Sequence, residues 1–481
     1  MKTQSRRNFL KASLFTGATL AWSAKSWSQV AGANSAVRAA VIGFRGRGSG
    51  HINELLAVEG ARITALCDVD RAVLDGAVKR LKDKGTEAKA YMDLREVLAD
   101  KNVDVITTAT PNHWHSLIVV WGCQAGKDVY VEKPVSNTVW EGRQAVNAAR
   151  KYNRIVQAGT QSRSNATLRE ALDWVKQGHI GKFQVSRGLC YKPRPSIGRT
   201  SGPQTVPTGI DYDLWVGPAP MKPPYRNGKF GPIHYDWHWF WDYGAGDLGN
   251  QGIHQMDIAR WALGKDTLSP TVFSVGGRLG YEDDGETPNT QFVVHDYGDA
   301  QLIFEVRGLP AGADQRGMDQ YRGQGVGQVI ECEGGYLAGT KAFDKAGKLI
   351  KDFKADREGS HMANFIKAVR SRKVSDLHAD IFEGHLSSAL CHTGNISHRL
   401  GDQLDPDQIA AGIKASAGAL DAFERMKQHL AANNVDLRKT RLTLGPVLKM
   451  DVKTERFTNS READALLTRL YRRPFVVPEN V

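Results

Sequence analysis

The sequence predicts a two-part α/β protein: a doubly wound parallel sheet first, then an α+β region built on a large, mostly antiparallel open sheet. From Val37 a strand, a glycine-rich turn, a helix and a second strand follow one another. Short apolar or β-branched runs then recur between helical stretches as far as Ala158, the rhythm of parallel strands joined by crossover helices. After Gly159-Thr160-Gln161 that rhythm stops, and later runs alternate apolar and polar residues, as half-buried antiparallel strands do.

The chain opens on Ser5-Arg6-Arg7-Asn8-Phe9-Leu10-Lys11, a short apolar stretch from Ala12 to Trp22, and small residues at Ala31-Gly32-Ala33. This reads as a twin-arginine signal over residues 1–33, and it predicts export of a folded protein through the twin-arginine translocase to the periplasm or another extracytoplasmic space. No later run approaches the ~20 apolar residues of a membrane span, so the mature protein is expected to be soluble. The formal charge is +12, and removing Lys2, Arg6, Arg7, Lys11 and Lys25 of the signal leaves +7. With no basic run interleaved with aromatics, that balance fits a dinucleotide or an anionic substrate and gives no reason to expect nucleic acid. Cys67, Cys123, Cys190, Cys332 and Cys391 are odd in number and scattered, which predicts neither a disulfide framework nor a metal site.

Residues 36–160 form the first domain. Val37–Ile42 leads into Gly43-Phe44-Arg45-Gly46-Arg47-Gly48, a helix to about Val58, and the strand Ala61–Cys67. Glycines there let backbone N–H groups approach a pyrophosphate at a helix N-terminus. Arg45 stands where a second glycine is usual, and both Arg45 and Arg47 are candidates for phosphate oxygens. Asp68 closes the second strand, 25 positions after Gly43, where a carboxylate takes ribose hydroxyls; it would repel a 2′-phosphate, so NAD is favoured, with NADP possible. Strands follow at Ala88–Tyr91, Val103–Thr110, Val129–Glu132 and Ile155–Ala158. Two of them end in Thr110-Pro111-Asn112-His113-Trp114-His115 and in Glu132-Lys133-Pro134, which open onto the crevice beyond the strands' C-terminal ends.

The glycine loop, Asp68, Thr-Pro-Asn-x-x-His and Glu-Lys-Pro, in this order, resemble the Gfo/Idh/MocA oxidoreductases. The resemblance implies a Rossmann dinucleotide-binding domain, a cis Pro134, and Lys133 beside the nicotinamide, polarising a carbinol oxygen. It places Asn112 and His115 on the nicotinamide side, with Glu132 and Gln161 also among the cofactor-binding residues.

The second domain is expected over 161–400. A helix, Ala166–Gln177, precedes the strand Phe183–Leu189 and a Pro-, Gly- and aromatic-rich insertion over 191–245; long loops of this kind are usually functional. Tyr191, Lys192 and Arg194 at its start and Trp237, His238 and Trp239 near its end are the candidate substrate contacts. Trp237, Trp239 and Trp241 alternate, so an extended segment would set them on one face, for a sugar ring or for a buried aromatic cluster. His254 follows at the start of a helix reaching Trp261; the resemblance makes it the acid/base, usually within D-x-x-x-H. Here Asn250 replaces that Asp, so either Asp257, three residues on, is a substitute orienter or Asn250 itself binds a substrate hydroxyl.

Strands are expected at Thr271–Arg278, Gln291–Asp296, Ala300–Val306 and Val326–Cys332, and helices at Ala363–Arg370 and Gly384–Arg399, where His385, Ser387 and Ser388 serve packing. The resemblance makes the open sheet an oligomer face and the protein a homo-oligomer. Residues 401–481 are read as a helical extension packed on the body, helical from Asp407 to about Leu430, with a capping box at Asn459-Ser460-Arg461-Glu462 before a helix over Ala463–Tyr471.

These features predict an exported enzyme that moves a hydride between a sugar or cyclic polyol carbinol and a tightly bound nicotinamide cofactor. Within the resembled family the cofactor is regenerated either by a second substrate or by re-reduction of the first after glycoside elimination, so an NAD-dependent glycosidase is the alternative. A non-enzymatic sugar sensor on the same fold is a third reading.

Overall fold

The structure is a computed structural model and is described here for residues 36–224, 233–355 and 359–481; the predicted signal over 1–33 lies outside them. Six parallel strands form the first sheet: β1 (Val37–Ile42), β2 (Ala61–Cys67), β3 (Lys89–Tyr91), β4 (Val105–Thr108), β5 (Asp128–Val131) and β6 (Val156–Ala158). Their order is β3-β2-β1-β4-β5-β6, so the chain direction switches between β1 and β4, where the ends of neighbouring strands part and leave a crevice. β4 and β5 are buried along their whole length, which is why they read as unbroken apolar runs. Helix α1 (Arg47–Ala57) follows the glycine loop and α2 (Asn112–Gln124) follows β4.

The second sheet has twelve strands. They are β7 (Phe183–Tyr191), β8 (Thr271–Gly277), β9 (Thr290–Asp296), β10 (Gln301–Arg307), β11 (Val326–Cys332), β12 (Gly335–Ala338), β13 (Lys341–Asp344), β14 (Leu349–Asp352), β15 (Asp402–Leu404), β16 (Leu442–Leu444), β17 (Leu448–Asp451) and β18 (Arg456–Phe457). The main order is β14-β13-β12-β11-β7-β10-β9-β8-β16-β15. β7 and β10 pair in parallel while their other neighbours run antiparallel. Helix α3 (Gly252–Leu263) packs on this sheet through Ile253, Met256 and Ala259, together with Leu386, Ala389 and Leu390 of a later helix.

Two expectations about the chain's division need correction. The segment after 160 does not leave the first domain behind. Helix α4 (His361–Ser371) buries Met362, Phe365, Ile366 and Val369 against one face of the first sheet, while Phe475, Val477 and Val481 enter the core on its other face. Helix α5 (Ile381–Arg399) lies between the two sheets, beginning in the first core with Ile381 and continuing into the second with Leu386 and Leu390.

The stretch 401–481 is not only helical either. It supplies β15 to β18, and β16 and β17 pair with β8, closing an otherwise exposed sheet edge. Its helices are Pro406–Ile413 and α6 (Ala417–Ala432), separated by a break, and Ser460 caps a helix that ends already at Ala465. Ile409, Ile413, Phe423, Met426 and Leu430 bury Val275, Phe292, Val294 and Ile303 of the second sheet, so part of the face expected to meet another copy is covered by the chain itself.

Candidate active site

The crevice at the C-terminal ends of β1, β4 and β5 has a volume of about 350 Å³, within the range of small-molecule sites. Its floor is the glycine loop. Gly43 has φ +71°, and a Cβ there would lie 2.8 Å from Thr110 Cγ2; a Cβ on Gly48 would lie 2.0 Å from the Gly43 carbonyl oxygen. These two glycines serve the tight turn and its contact with α1. Gly46 differs, since a Cβ there would meet nothing within 4 Å, and as the N-cap of α1 it supplies no side-chain cap. The N-terminus of α1 therefore presents free N–H groups to an open face, which fits a pyrophosphate.

Asp68 lines the crevice with Oδ2 accepting from Phe44 N–H (3.0 Å) and Oδ1 from Asp70 N–H (3.1 Å). Burial pushes its pKa up to about 6. Asn112 at the N-terminus of α2 is buried, and its Oδ1 has no hydrogen-bond partner among the described residues. An orphaned buried acceptor at the crevice wall is costly unless a bound group donates to it. With the open Gly46 face, it makes the residues present fit a dinucleotide.

Lys133 stands at the far end of the crevice from Asp68, after β5, and the Lys133–Pro134 bond is cis. Its Nζ donates to the Asn250 backbone carbonyl (2.8 Å) and to Asn250 Oδ1 (3.3 Å), so this ammonium of the first domain is held by the second. Burial lowers its pKa, against the opposing charges of Glu132 and Asp247. Behind it, the buried Glu132 carboxylate accepts from Arg47 Nε (2.8 Å) and Gln161 Nε2 (2.9 Å) and meets His51 Nε2 at 3.2 Å. Burial alone would raise the Glu132 pKa, but the His51 bond and the neighbouring cations hold it well below the usual range.

His254 lies one helical turn after Asn250 and is half-buried. Asn250 and Gln251 line the crevice; His254 stands just outside that lining among the described residues. Burial, and then the charge on Lys133, push its pKa down to about 3, so the ring is neutral at ordinary pH.

Several residues expected in the site have other roles. Arg47 lines the crevice, but its guanidinium is paired with Glu132 (2.8 Å) and Glu54 (2.7 Å). His115 lines the crevice but sets Nδ1 against the Pro134 carbonyl (2.6 Å) and Nε2 against the Thr110 carbonyl (2.8 Å), bracing two loops together. Gln161 sits behind the crevice, bonded to Glu132 and to the Tyr130 hydroxyl (3.0 Å). Asp257 faces Arg163 in a two-toothed ion pair (2.8 and 2.9 Å) and accepts from Ser387 Oγ (2.7 Å), so it does not orient His254 through a hydrogen bond. Tyr191 belongs to β7, where its hydroxyl donates to Glu305 (2.7 Å) and Arg307 lies over its ring.

The tryptophan segment is not extended. Asp236–Trp239 is a 3₁₀ turn that buries Trp237 and Trp239, which removes the shared face that alternation implied. Trp237 and His238 still line the crevice, with Arg45, Lys192 and Arg194, while Trp239 lies behind Arg194. Lys192 Nζ donates to Gln251 Oε1 (2.9 Å) and Arg194 forms a bidentate pair with Asp247 (2.7 and 2.8 Å).

The sequence reading missed Asp247, Gln251, Tyr235 and His234. Asp247 lay in the glycine-rich run before His254, and a carboxylate there was the available signal. His234 had none, because its partner is remote: its Nε2 meets Asp70 Oδ2 at 3.1 Å. With Arg71 N–H donating to the Gly209 carbonyl (3.0 Å) and Asp211 N–H to that of Val69 (2.9 Å), this contact ties the insertion to the first domain. Trp114 Nε1 adds a bond to the Leu214 carbonyl (3.0 Å). The insertion is thus a strap laid across the crevice and fastened on the dinucleotide domain.

The chain is 34% identical over 158 residues to glycosyl hydrolase family 109 protein 2 of Shewanella sp. (strain ANA-3) and 28% identical over 152 residues to an alpha-N-acetylgalactosaminidase of Shewanella oneidensis. The matches span 28% and 31% of this chain and 35% and 33% of those relatives, about a third of their length. In fold it resembles the WlbA dehydrogenase of Bordetella pertussis in complex with NADH and UDP-GlcNAcA, with a TM-score of 0.54 at 20% identity over 74% of this chain and 94% of that one. It also resembles an NAD-binding protein of Listeria innocua, with a TM-score of 0.51 at 17% identity over 74% and 93%. The family model for the oxidoreductase family's NAD-binding Rossmann fold matches residues 37–160, and the model for the family's C-terminal alpha/beta domain matches 175–425. Matched in both halves, with an NAD-binding crevice between them, the chain belongs to the GFO/IDH/MocA family of oxidoreductases.

Proposed function

We propose that the protein interconverts a carbinol and a carbonyl on a sugar or cyclic polyol, with the nicotinamide dinucleotide held in the crevice as the redox partner. When bound, the nicotinamide supplies the acceptor and donor of hydride. The observation that carries this reading is the Lys133 ammonium, half-buried at the crevice end and aimed by Asn250 from the opposite domain. Such a cation stabilises negative charge as it develops on the substrate oxygen. Burial, and then the same charge, keep His254 neutral. As alkoxide character grows it offsets the field of Lys133, and the imidazole becomes basic enough to take the hydroxyl proton. Asn250 cannot relay that proton, but its side-chain amide remains a donor for a substrate oxygen.

The strap supports a cofactor that stays bound between turnovers, and this suits export by the signal proposed for residues 1–33, since free dinucleotide is scarce outside the cytoplasm. Retention requires regeneration in place, by a second carbonyl substrate or by re-reduction of the first. The names of the Shewanella relatives favour the latter as a second reading, redox-assisted glycoside cleavage. A ketone acidifies its neighbouring C–H and so allows a glycosidic group to leave.

Ligand extracted from the purified protein should contain nicotinamide dinucleotide, and a panel of free sugars and aryl glycosides should yield an oxidised sugar. Release of aglycone without net oxidation would select the glycosidase. Protein that carries no nicotinamide and binds none when supplied would sink both readings.

A further inference from the structure

Three imidazoles line the crevice, and two of them are spent: His115 on two backbone carbonyls and His234 on Asp70. His238 is different. Its Nδ1 faces the Tyr235 carbonyl, which can only accept, so Nδ1 carries the proton and Nε2 bears a lone pair. The ring is stacked on Trp237, with centroids 3.6 Å apart and planes at 20°, which fixes its orientation. Nε2 has no hydrogen-bond partner among the described residues, although the residue is 8% exposed. Burial, then the charges of Lys133 and Arg194, hold the ring's pKa near 3. It is therefore a persistent acceptor and too weak a base to keep a proton.

A group that only accepts, fixed in tautomer and plane, matches a donor on the ligand. Lys133, Lys192 and Arg194 at this end of the crevice only donate, and the side-chain oxygens of Asn250, Gln251 and Tyr235 beside them already accept from these cations, so a sugar hydroxyl placed there has oxygens well served and one hydrogen still to place. We propose that His238 Nε2 accepts a hydrogen bond from a second, unsubstituted hydroxyl of the same ring whose carbinol Lys133 engages, and thereby selects among sugars by the position of that hydroxyl. This rests on the functional reading above and adds the substrate feature that the site discriminates.

The test uses the holoenzyme and the methyl glycosides of glucose, galactose, mannose and N-acetylgalactosamine, with singly deoxygenated analogues of whichever binds. Affinity is read by calorimetry and turnover by product formation. For the wild-type protein, one deoxygenation should weaken binding by about 30-fold or more, because it strands the imidazole acceptor. In His238→Phe, which keeps the stack on Trp237, the parent and that analogue should bind alike. In His238→Gln, which restores an acceptor, part of the discrimination should return, and a merely structural role would not produce that rescue. If His238→Phe discriminates as the wild type does, or the wild type binds all the analogues equally, the assignment is overturned while the functional reading stands. If no glycoside binds at all, the functional reading fails and takes the assignment with it.

Discussion

Two buried charged clusters flank helix α3, and they differ in what is left over. Around Asp257, Arg163 and Arg260 meet Asp257, Glu383 and Ser387 so that each charge is answered: Arg163 reaches Glu383 at 2.9 Å, Arg260 bonds both Glu383 and Ser387, and Arg163 lies over Trp261. At the crevice, among the described residues, Asn112 Oδ1 is orphaned, His238 bonds through Nδ1 and leaves Nε2 over, and the Lys133 ammonium is bound only to two oxygens of one asparagine. Both clusters are buried and bridge distant parts of the chain, so burial and charge do not tell them apart. Unspent hydrogen-bonding capacity does: the closed cluster is architecture, and the open one awaits a ligand.

The sharpest way to break this comparison is to remove one charge from each cluster. Lys133→Met should lower kcat by about a thousandfold, the scale of losing a donor aimed at a developing oxyanion, while thermal stability holds or rises because a desolvated ammonium has gone. Steady-state turnover, nicotinamide content and a melting curve measure all three, and a collapse of stability would place Lys133 with the architecture. Asp257→Asn should do the reverse. Leaving Arg163 and Arg260 short of a carboxylate should cost about 3–5 kcal/mol of folding stability, read by denaturant unfolding, with kcat of the folded fraction near the wild-type value.

Next in size is His254. His254→Gln should lower kcat by about a hundredfold, the low end of general acid–base contributions. The same variant carries a stability signature whose sign follows from the pKa. Burial moves His254 from its ordinary 6.5 in the unfolded chain to about 3 in the fold, so the unfolded state binds the proton first. The wild type therefore loses stability as pH falls from about 6.5 toward 3, by about 2 kcal/mol from this residue near pH 5. His254→Gln should be free of that part of the acid loss, which urea titrations at pH 7.5 and at about pH 5 would show. An equal loss in both proteins would mean that the ring is already wetted and charged in the fold.

How far the site could be read in advance follows the same division. The glycine loop, Asp68 and the lysine at the end of β5 were legible because each lies within a few residues of the strand that aims it, and strand, turn and helix leave a local pattern. Asp257 was misread because its partners Arg163 and Ser387 stand 94 and 130 positions away, and no local pattern distinguishes a paired carboxylate from a catalytic one. The tryptophan repeat misled for a different reason: alternation fixes a face only in an extended chain, and Asp236–Trp239 turns. The return of α4 and of Phe475 to the first sheet, like the fastening of the strap at Asp70, rests on contacts between residues far apart in the chain, where sequence periodicity gives only the apolar face and not its partner.

The smallest predicted effect tests the division at single-atom scale. Gly43 and Gly48 are closed positions, where an added Cβ would strike Thr110 or the Gly43 carbonyl, whereas at Gly46 it would meet nothing. Gly46→Ala should thus change folding stability by less than about 1 kcal/mol. Its methyl group would stand on the face where the free N–H groups of α1 await an anion, so the cost should fall on the ligand instead. As-isolated nicotinamide content and the dinucleotide dissociation constant should shift by about tenfold toward the free state, with the melting temperature of the cofactor-free protein almost unmoved. If instead the cofactor-free protein melts many degrees lower while its affinity for dinucleotide is intact, the glycine is part of the scaffold and the pyrophosphate lies elsewhere.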